Sequence, residues 1–156
     1  MPSLQRQGPA VFIHPDGSKG RPVMLATLEV PFASDAVAFA VDTAVELGQR
    51  LIIANFVERA PLPLSAMLGY DDLPDPPELT DSLVAPATLA QSLGLEVTRL
   101  RVKSLHPIPA MLEVISEQGA GLLVFGPDRR KIARLLYWRA VRAIRSKVTV
   151  LVWLAE

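Results

Sequence analysis

Short apolar runs alternate with amphipathic segments from residue 23 to residue 153, and this alternation limits the possible folds more than any other feature. Residues 51–57 are apolar at nearly every position, which indicates a strand that is buried on both faces. Strands are predicted at 23–27, 51–57, 96–103, 122–125 and 148–153, and helices at 34–47, 81–93, 107–119 and 131–145. This order predicts a parallel five-stranded sheet between two helical layers, a three-layer α/β/α sandwich.

The chain has 156 residues, which is enough for one domain with a substantial core. Residues 1–21 are rich in Gly, Pro and polar side chains, so we expect a flexible N-terminal arm with room for one short strand at 11–13. The folded domain is predicted over 22–156. Residues 59–80 predict a long loop rich in Pro and Asp, of a kind that is usually functional or mobile.

Several classes of protein are disfavoured by what the sequence lacks. There is no cysteine, which excludes disulfides, thiolate metal sites and cysteine nucleophiles and fits a cytoplasmic location. Residues 1–10 do not resemble a signal peptide, and no apolar run approaches the length that spans a membrane. We therefore expect a cytoplasmic protein without a membrane span.

The sequence gives little support for a catalytic site or a metal site. The histidines His14 and His106 are far apart in the sequence, and the acidic pair Asp71-Asp72 lies in a Pro-rich segment unlike an ordered cation loop. No Gly-x-Ser-x-Gly motif is present. Three serines have no recognisable base nearby: Ser65, Ser82 and Ser104. The sequence predicts neither a metal site nor an enzyme.

The formal net charge is zero, but the charges are segregated. Residues 129–147 contain eight basic residues and no acid, whereas residues 58–81 contain six acids and one base. The predicted basic helix at 131–145 fits a solvated face, and it also fits a surface for phosphates or acidic lipid; nucleic acid is not expected. Such a dipolar surface bears on partners, not on the fold.

Gly126 stands where a phosphate-binding loop would begin. Residues 121–126 read as a buried strand that enters a tight turn, and nucleotide-binding α/β folds place further glycines after such a turn. Here the chain continues as Pro127-Asp128-Arg129-Arg130-Lys131. The candidate anion or nucleotide site at the carboxyl edge of the sheet therefore consists of Gly126, Asp128, Arg129, Arg130 and Lys131. The alternative is that these basic residues pair with the acidic loop at 71–81.

Several strings resemble the universal stress protein family. Residues 106–126 resemble its third helix and fourth strand, with a polar-Pro start, an Ile-Leu helix face and a strand that ends in glycine. Segments 23–27, 89–97 and 150–152 resemble its first strand, its second helix leading into strand three, and its last strand. The resemblance covers residues 22–153. It implies the strand order 3-2-1-4-5 and a fold like that of the adenine nucleotide α-hydrolases.

The resemblance also exposes a departure from the family's ATP motif. Many members carry an acid at the end of strand one and a Gly-x2-Gly-x9-Gly-Ser/Thr run after strand four. Here Leu28 takes the place of the acid and Glu29 is the nearest carboxylate. After Gly126, the remaining places of the run hold Arg129, Arg139 and Ala140. The resemblance therefore implies a member without the standard ATP site.

Strand five carries an unusual apolar pattern. Its side chains alternate between Val148, Val150 and Val152 on one face and Thr149, Leu151 and Trp153 on the other. The implied strand order makes this strand an edge, and a bare apolar edge invites pairing with another chain. The opposite edge is protected by three basic residues: Arg99, Arg101 and Lys103. The family commonly dimerises at its last strand, so we predict a homodimer through Val148, Val150, Leu151, Val152 and Trp153.

Together these features predict a homodimeric stress-response module that does not bind ATP in the standard way and acts by binding a partner protein or a small anion. No cofactor is expected, although ATP or another anion remains a candidate ligand. The first alternative is a nucleotide-binding stress protein in which Arg129, Arg130 and Lys131 hold the phosphates. A further alternative is an enzyme of the adenine nucleotide α-hydrolase-like fold.

Overall fold

A computed structural model of the chain describes residues 3–5, 20–58 and 77–155. In the described ranges, the strands and helices alternate as the sequence predicts. The strands are β1 (Ser3–Gln5), β2 (Val23–Leu28), β3 (Leu51–Glu58), β4 (Val97–Ser104), β5 (Leu122–Phe125) and β6 (Leu151–Leu154). The helices are α1 (Ser34–Leu47), α2 (Pro77–Ser92), α3 (Pro107–Gln118) and α4 (Arg134–Lys147).

The strands form one sheet in the order β1-β6-β5-β2-β3-β4. All pairings from β4 across to β6 are parallel, so the predicted five-stranded sheet of order 3-2-1-4-5 is confirmed. β1 adds a sixth strand and is antiparallel to β6. The predicted strand at 11–13 and most of the loop predicted at 59–80 lie outside the described residues.

Two apolar cores cover the two faces of the sheet. Alternate side chains of each strand enter opposite cores, so that Met24 packs toward α3 and α4 while Leu25 packs toward α1 and α2. In α1, the stripe of Ala36, Ala40 and Ala44 is fully buried and presents only methyl groups to the sheet. The central strands β2 and β5 are buried along their whole length, because each of their faces is covered by one of the two cores.

Some predicted boundaries are wrong, for local reasons. α1 has the predicted bounds, with Ala33 as its cap, whereas α2 begins at Pro77 instead of residue 81, which puts Pro86 inside the helix. α4 begins at Arg134 instead of residue 131, because a hydrogen-bonded turn occupies the residues before it. β6 begins at Leu151, since the backbone N–H of Val148 still donates to Ile144 at the end of α4.

β6 is not the bare edge that the sequence predicts. β1 pairs along it, with Leu4 opposite Trp153 and Gln5 opposite Val152. This pairing occupies one backbone edge of β6 with residues that the sequence assigns to a flexible arm. At the other end of the sheet, β4 is the outermost strand, and its exposed Arg99 and Lys103 match the predicted charge protection.

Gly126 marks the closest approach between the sheet and α1. A Cβ atom added to this glycine would lie 2.2 Å from the Cβ of Ala36. Its φ is not in the left-handed region, so glycine is needed here for space and not for backbone freedom. Gly126 thus packs α1 against the end of β5.

We expect Gly126→Ala to lower the free energy of unfolding by about 1–3 kcal/mol, because the added methyl group overpacks this contact. The loss should shrink in the background of Ala36→Gly, which removes the opposing methyl group. Ala38→Gly is the matched control, because Ala38 is exposed on the same helix. Chemical denaturation of the single and double variants measures the coupling; equal losses in both backgrounds would contradict this assignment.

Candidate functional site at the carboxyl edge of the sheet

The loops that follow β2 and β5 are tied together at the carboxyl edge of the sheet. The backbone N–H of Asp128 donates to the carbonyl of Pro31 at 2.9 Å, and that of Ala33 donates to the carbonyl of Gly126 at 2.9 Å. Phe32 and Pro127 lie opposite each other in an isolated antiparallel bridge. The N–H of Asp128 is therefore engaged within the protein and does not point at a ligand.

Asp128 closes a compact turn before α4. Its carbonyl accepts the N–H groups of Lys131 and Ile132, both at 3.0 Å, and its Oδ1 accepts the backbone N–H of Arg130 at 3.0 Å. Burial alone would raise the pKa of Asp128. The hydrogen bonds from Arg130 and the positive charges of Arg130 and Lys131 outweigh burial, so that the pKa of Asp128 lies below its ordinary value of 3.8.

The three basic residues of the predicted anion site point to different surroundings. The Arg129 guanidinium stacks over the ring of Tyr137 with its Cζ 3.5 Å from the ring centroid. Arg130 lies 3.3 Å from Asp128 with its side chain 89% exposed, and Lys131 is also exposed. These side chains therefore do not converge on a common position in the described part of the chain.

A cavity of about 490 Å³ opens at the same edge of the sheet, on the side of α3 and α4. It lies where β2, β3 and β4 end and where α3 begins, the usual position of ligands in parallel α/β sheets. Its lining combines two carboxylates, a histidine and an arginine with apolar side chains: Glu29, Glu58, Leu105, His106, Pro107, Ile108, Pro109, Leu136 and Arg139.

Glu29 reaches this cavity through an unusual backbone conformation. Its φ of 62° is in the left-handed region, which side chains other than glycine seldom adopt. Its N–H is 3.1 Å from both the Oδ1 of Asn55 and the carbonyl of Phe56, and its Oε1 accepts the N–H of Glu58 at 3.3 Å. The preceding Leu28 is fully buried in the core under α3 and α4. The carboxylate is thus fixed at the cavity wall.

Asn55 of β3 holds the backbone of Glu29 through a side-chain hydrogen bond. Its side chain is completely buried in β3, and its Nδ2 makes no hydrogen bond with the described residues. A buried amide with one unsatisfied end is unusual, because leaving such a group unpaired costs free energy. The best-supported role of Asn55 is therefore to hold the backbone of Glu29.

Arg139 and His106 contribute from the two neighbouring helices. Arg139 lies in the second turn of α4 and lines the cavity. His106 occupies the cap position of α3, where its backbone N–H donates to the Oγ of Ser104 at 3.0 Å. The exposed His106 residue also borders the cavity. The backbone of His106 thus takes part in the turn between β4 and α3, whereas His14 lies outside the described residues.

Neither a metal centre nor a membrane span is found in the described residues. No group of three or more His, Asp or Glu side chains there is placed to hold a metal ion. Within the same ranges, no helix combines the length and the apolar character that crossing a bilayer requires. The acidic pair Asp71-Asp72 is outside the described part of the chain.

Comparison with known proteins decides the family. The model of the universal stress protein family matches residues 20–154. The chain belongs to the universal stress protein family. No curated protein sequence matches it significantly.

Solved structures of this family share the fold at low sequence identity. The universal stress protein UspA from Lactobacillus plantarum superposes with a TM-score of 0.61 at 10% identity, over 87% of this chain and 97% of that chain. A universal stress protein solved in complex with cAMP superposes with a TM-score of 0.58 at 18% identity, over 87% of this chain and 96% of that chain. The universal stress protein from Archaeoglobus fulgidus in complex with dAMP superposes with a TM-score of 0.57 at 16% identity, over 87% of this chain and 98% of that chain.

The sequence predicts which edge of the sheet carries the cavity, but it does not predict which residues line the cavity. Gly126 and Asp128 are at the carboxyl edge as predicted, yet both serve the packing of loops. Sequence reasoning assigned no binding role to Glu58 or Arg139. The available signal was that Glu58 ends β3, at the edge of the sheet where ligands bind, and that counting the family's motif on from Gly126 reaches Arg139.

We expect Asp128→Asn to destabilise the protein by at most about 1 kcal/mol near neutral pH, because its partner Arg130 is exposed. Since the folded pKa of Asp128 is depressed, the contribution of the ion pair is complete above the ordinary value of 3.8 and is lost as the pH falls through the lower folded pKa. Unfolding measured from neutral to acid pH should show parent and variant converging. Asp42→Asn, on the exposed side of α1, is the control; a difference that persists at acid pH would contradict the ion-pair role.

Proposed function

We propose that this protein is a non-catalytic binding module of the universal stress protein family that takes a small ligand in the carboxyl-edge cavity. The ligand that fits best is a nucleoside carrying one phosphate, not ATP held on a glycine loop. The observation that carries the proposal is Glu29, which a left-handed backbone and Asn55 hold at the cavity wall.

The lining supports a ligand with both donors and an anionic group. The carboxylates of Glu29 and Glu58 accept hydrogen bonds, as from ribose hydroxyls or an exocyclic amine, whereas Arg139 attracts a phosphate. Inorganic phosphate alone would meet two carboxylates that repel it. The cAMP and dAMP in the two family structures have this mixed character, and the cavity of about 490 Å³ is within the usual range for small-molecule sites.

The tied loops argue against a triphosphate. In glycine phosphate loops, backbone N–H groups approach the phosphates closely. Here the N–H of Asp128 donates to Pro31 and the place of the second motif glycine is taken by Arg129, whose guanidinium lies over Tyr137. A chain of phosphates extending past Arg139 therefore gains few contacts.

Titration calorimetry with adenosine, AMP, cAMP and Mg-ATP tests this proposal. We expect AMP to bind at least about tenfold more tightly than Mg-ATP, and Glu29→Gln to weaken AMP about tenfold because a charge-assisted acceptor is lost. Arg139→Gln should weaken AMP but leave adenosine unchanged. Arg134→Gln is the matched control, since Arg134 is exposed on the same helix and does not line the cavity.

Two outcomes would overturn the proposal. One is tight Mg-ATP binding in the low micromolar range. The other is a loss of adenosine binding in Arg139→Gln as large as the loss of AMP binding.

The alternative phosphate site is formed by Arg129, Arg130 and Lys131. Its support is the position of these residues directly after β5, where phosphates bind in nucleotide folds. If this site operates, phosphate should raise the melting temperature over chloride at equal ionic strength, and replacing all three residues by Ala should abolish the rise. A rise in melting temperature that AMP produces, that inorganic phosphate does not produce and that depends on Arg139 would favour the carboxyl-edge cavity.

We further propose that the protein forms a homodimer through β6, the strand that holds Leu151, Val152 and Trp153. Trp153 itself stacks on Phe39 in the core at 5.1 Å, so the contact would use the backbone edge of β6 and the flanking Val150, not the indole. Because β1 covers this edge, dimerisation requires β1 to be displaced.

A variant without residues 1–5 should therefore dimerise at lower concentration than the parent, giving a mass of about twice 16.9 kDa by light scattering. Gln5→Pro should act in the same direction, because Gln5 pairs with Val152, whose N–H faces β1, and proline removes a donor from the β1–β6 ladder. Gln5→Val, which keeps the strand, is the control. A truncated variant that stays monomeric at high micromolar concentration would exclude β6 as the interface.

A further inference from the structure

The outer surface of α4 combines apolar and basic side chains that none of the described elements covers. We define this α4 outer face by Arg134, Leu135, Trp138, Arg142 and Arg145, which recur at the three- and four-residue spacing of one helix face. The opposite side of the helix is buried in the core through Tyr137, Ala140, Val141 and Ile144. Leu135 is 73% exposed and Trp138 is 47% exposed.

Trp138 is held in its outward position by aromatic contacts. Its ring meets the buried Tyr137 edge to face, at 5.2 Å and 87°, and the Arg129 guanidinium lies 5.7 Å from its centroid. A half-exposed indole fixed in this way loses little conformational entropy when a partner covers it.

The charges on this part of the molecule are mostly positive. α4 carries no acid, and Arg134, Arg142 and Arg145 are all exposed. Two acids, Glu113 and Glu117, are exposed on the packed neighbour α3. All charged members of the α4 outer face are arginines, so this face favours an anionic partner.

We propose that the α4 outer face docks the protein on an anionic membrane surface. Leu135 and Trp138 enter the interfacial region of the bilayer, where indole rings are favoured, and the arginines contact lipid phosphates. A shallow cavity of about 550 Å³ beside Trp138, lined also by Arg142 and Arg145, suits a phosphate headgroup.

The shape of the face favours a membrane over an acidic protein. Leu135 projects from the surface and lines none of the cavities on this side of the sheet. Two projecting apolar side chains in a basic surround match a soft planar surface, whereas a protein partner needs a larger complementary contact to bind stably. The buried side of α4 joins the core that covers the sheet, so its outer face is directed away from the protein.

Vesicle flotation of the full chain tests this proposal. We expect binding to phosphatidylcholine vesicles that contain about 30 mol% phosphatidylglycerol, no binding to pure phosphatidylcholine, and release as salt rises from about 0.05 M to about 0.5 M. Arg134→Gln with Arg142→Gln should weaken binding about tenfold or more. Arg50→Gln with Arg99→Gln removes the same charge elsewhere and should leave binding within about twofold of the parent.

Tryptophan fluorescence separates insertion from simple charge attraction. Trp153 is 3% exposed, so a blue shift on adding the anionic vesicles reports Trp138. Trp138→Phe should remove the shift while the protein still floats, and Leu135→Ser should weaken flotation.

Three results would overturn the proposal: no flotation with the anionic vesicles at low salt, equal losses in the two double-arginine variants, or flotation without a fluorescence shift in the parent. Tighter binding to soluble polyglutamate than to the vesicles would assign the face to an acidic protein instead.

Discussion

The contact between Gly126 and Ala36 is the constraint on which the carboxyl edge of the sheet depends. Because no side chain separates them, α1 lies directly against the end of β5, and the loop before α1 is close enough to pair with Pro127 and Asp128. This pairing ties together the loops that follow β2 and β5. The geometry of the site follows from a packing contact that contains no polar group.

The tied loops also explain where the remaining cavity lies. With the β2 and β5 loops closed on each other, the open part of the edge shifts toward β3, β4 and the start of α3. The turn at Asp128 lets α4 begin at Arg134, which places Arg139 in its second turn beside that opening. Arg139 thereby supplies the lining of the cavity with a positive charge.

The sheet order and the element types follow from the apolar runs, because strands buried on both faces have few alternatives to a parallel sheet. The pairing of β1 could not be predicted in this way, since three residues carry too little pattern to indicate a strand. The cavity lining was missed for a related reason: Glu29, Glu58 and Arg139 are distant in sequence and are brought together only by the crossover connections. The sequence around Gly126 does not show whether this glycine leaves room for a phosphate or for a neighbouring helix. In the structure it leaves room for Ala36 of α1.

Glu29 shows how an acid just after a strand takes its direction from the local backbone and not from the alternation of the strand. A strand alternates its side chains between two faces, so moving an acid by one position should turn it away from its partner. Glu29 escapes this rule because it follows the last residue of β2 and takes a left-handed conformation. Its N–H then bonds to Asn55 and its carboxylate to the N–H of Glu58, which together fix its direction. At the end of a strand, a single backbone rotation and one buried amide are enough to redirect a charge toward the cavity.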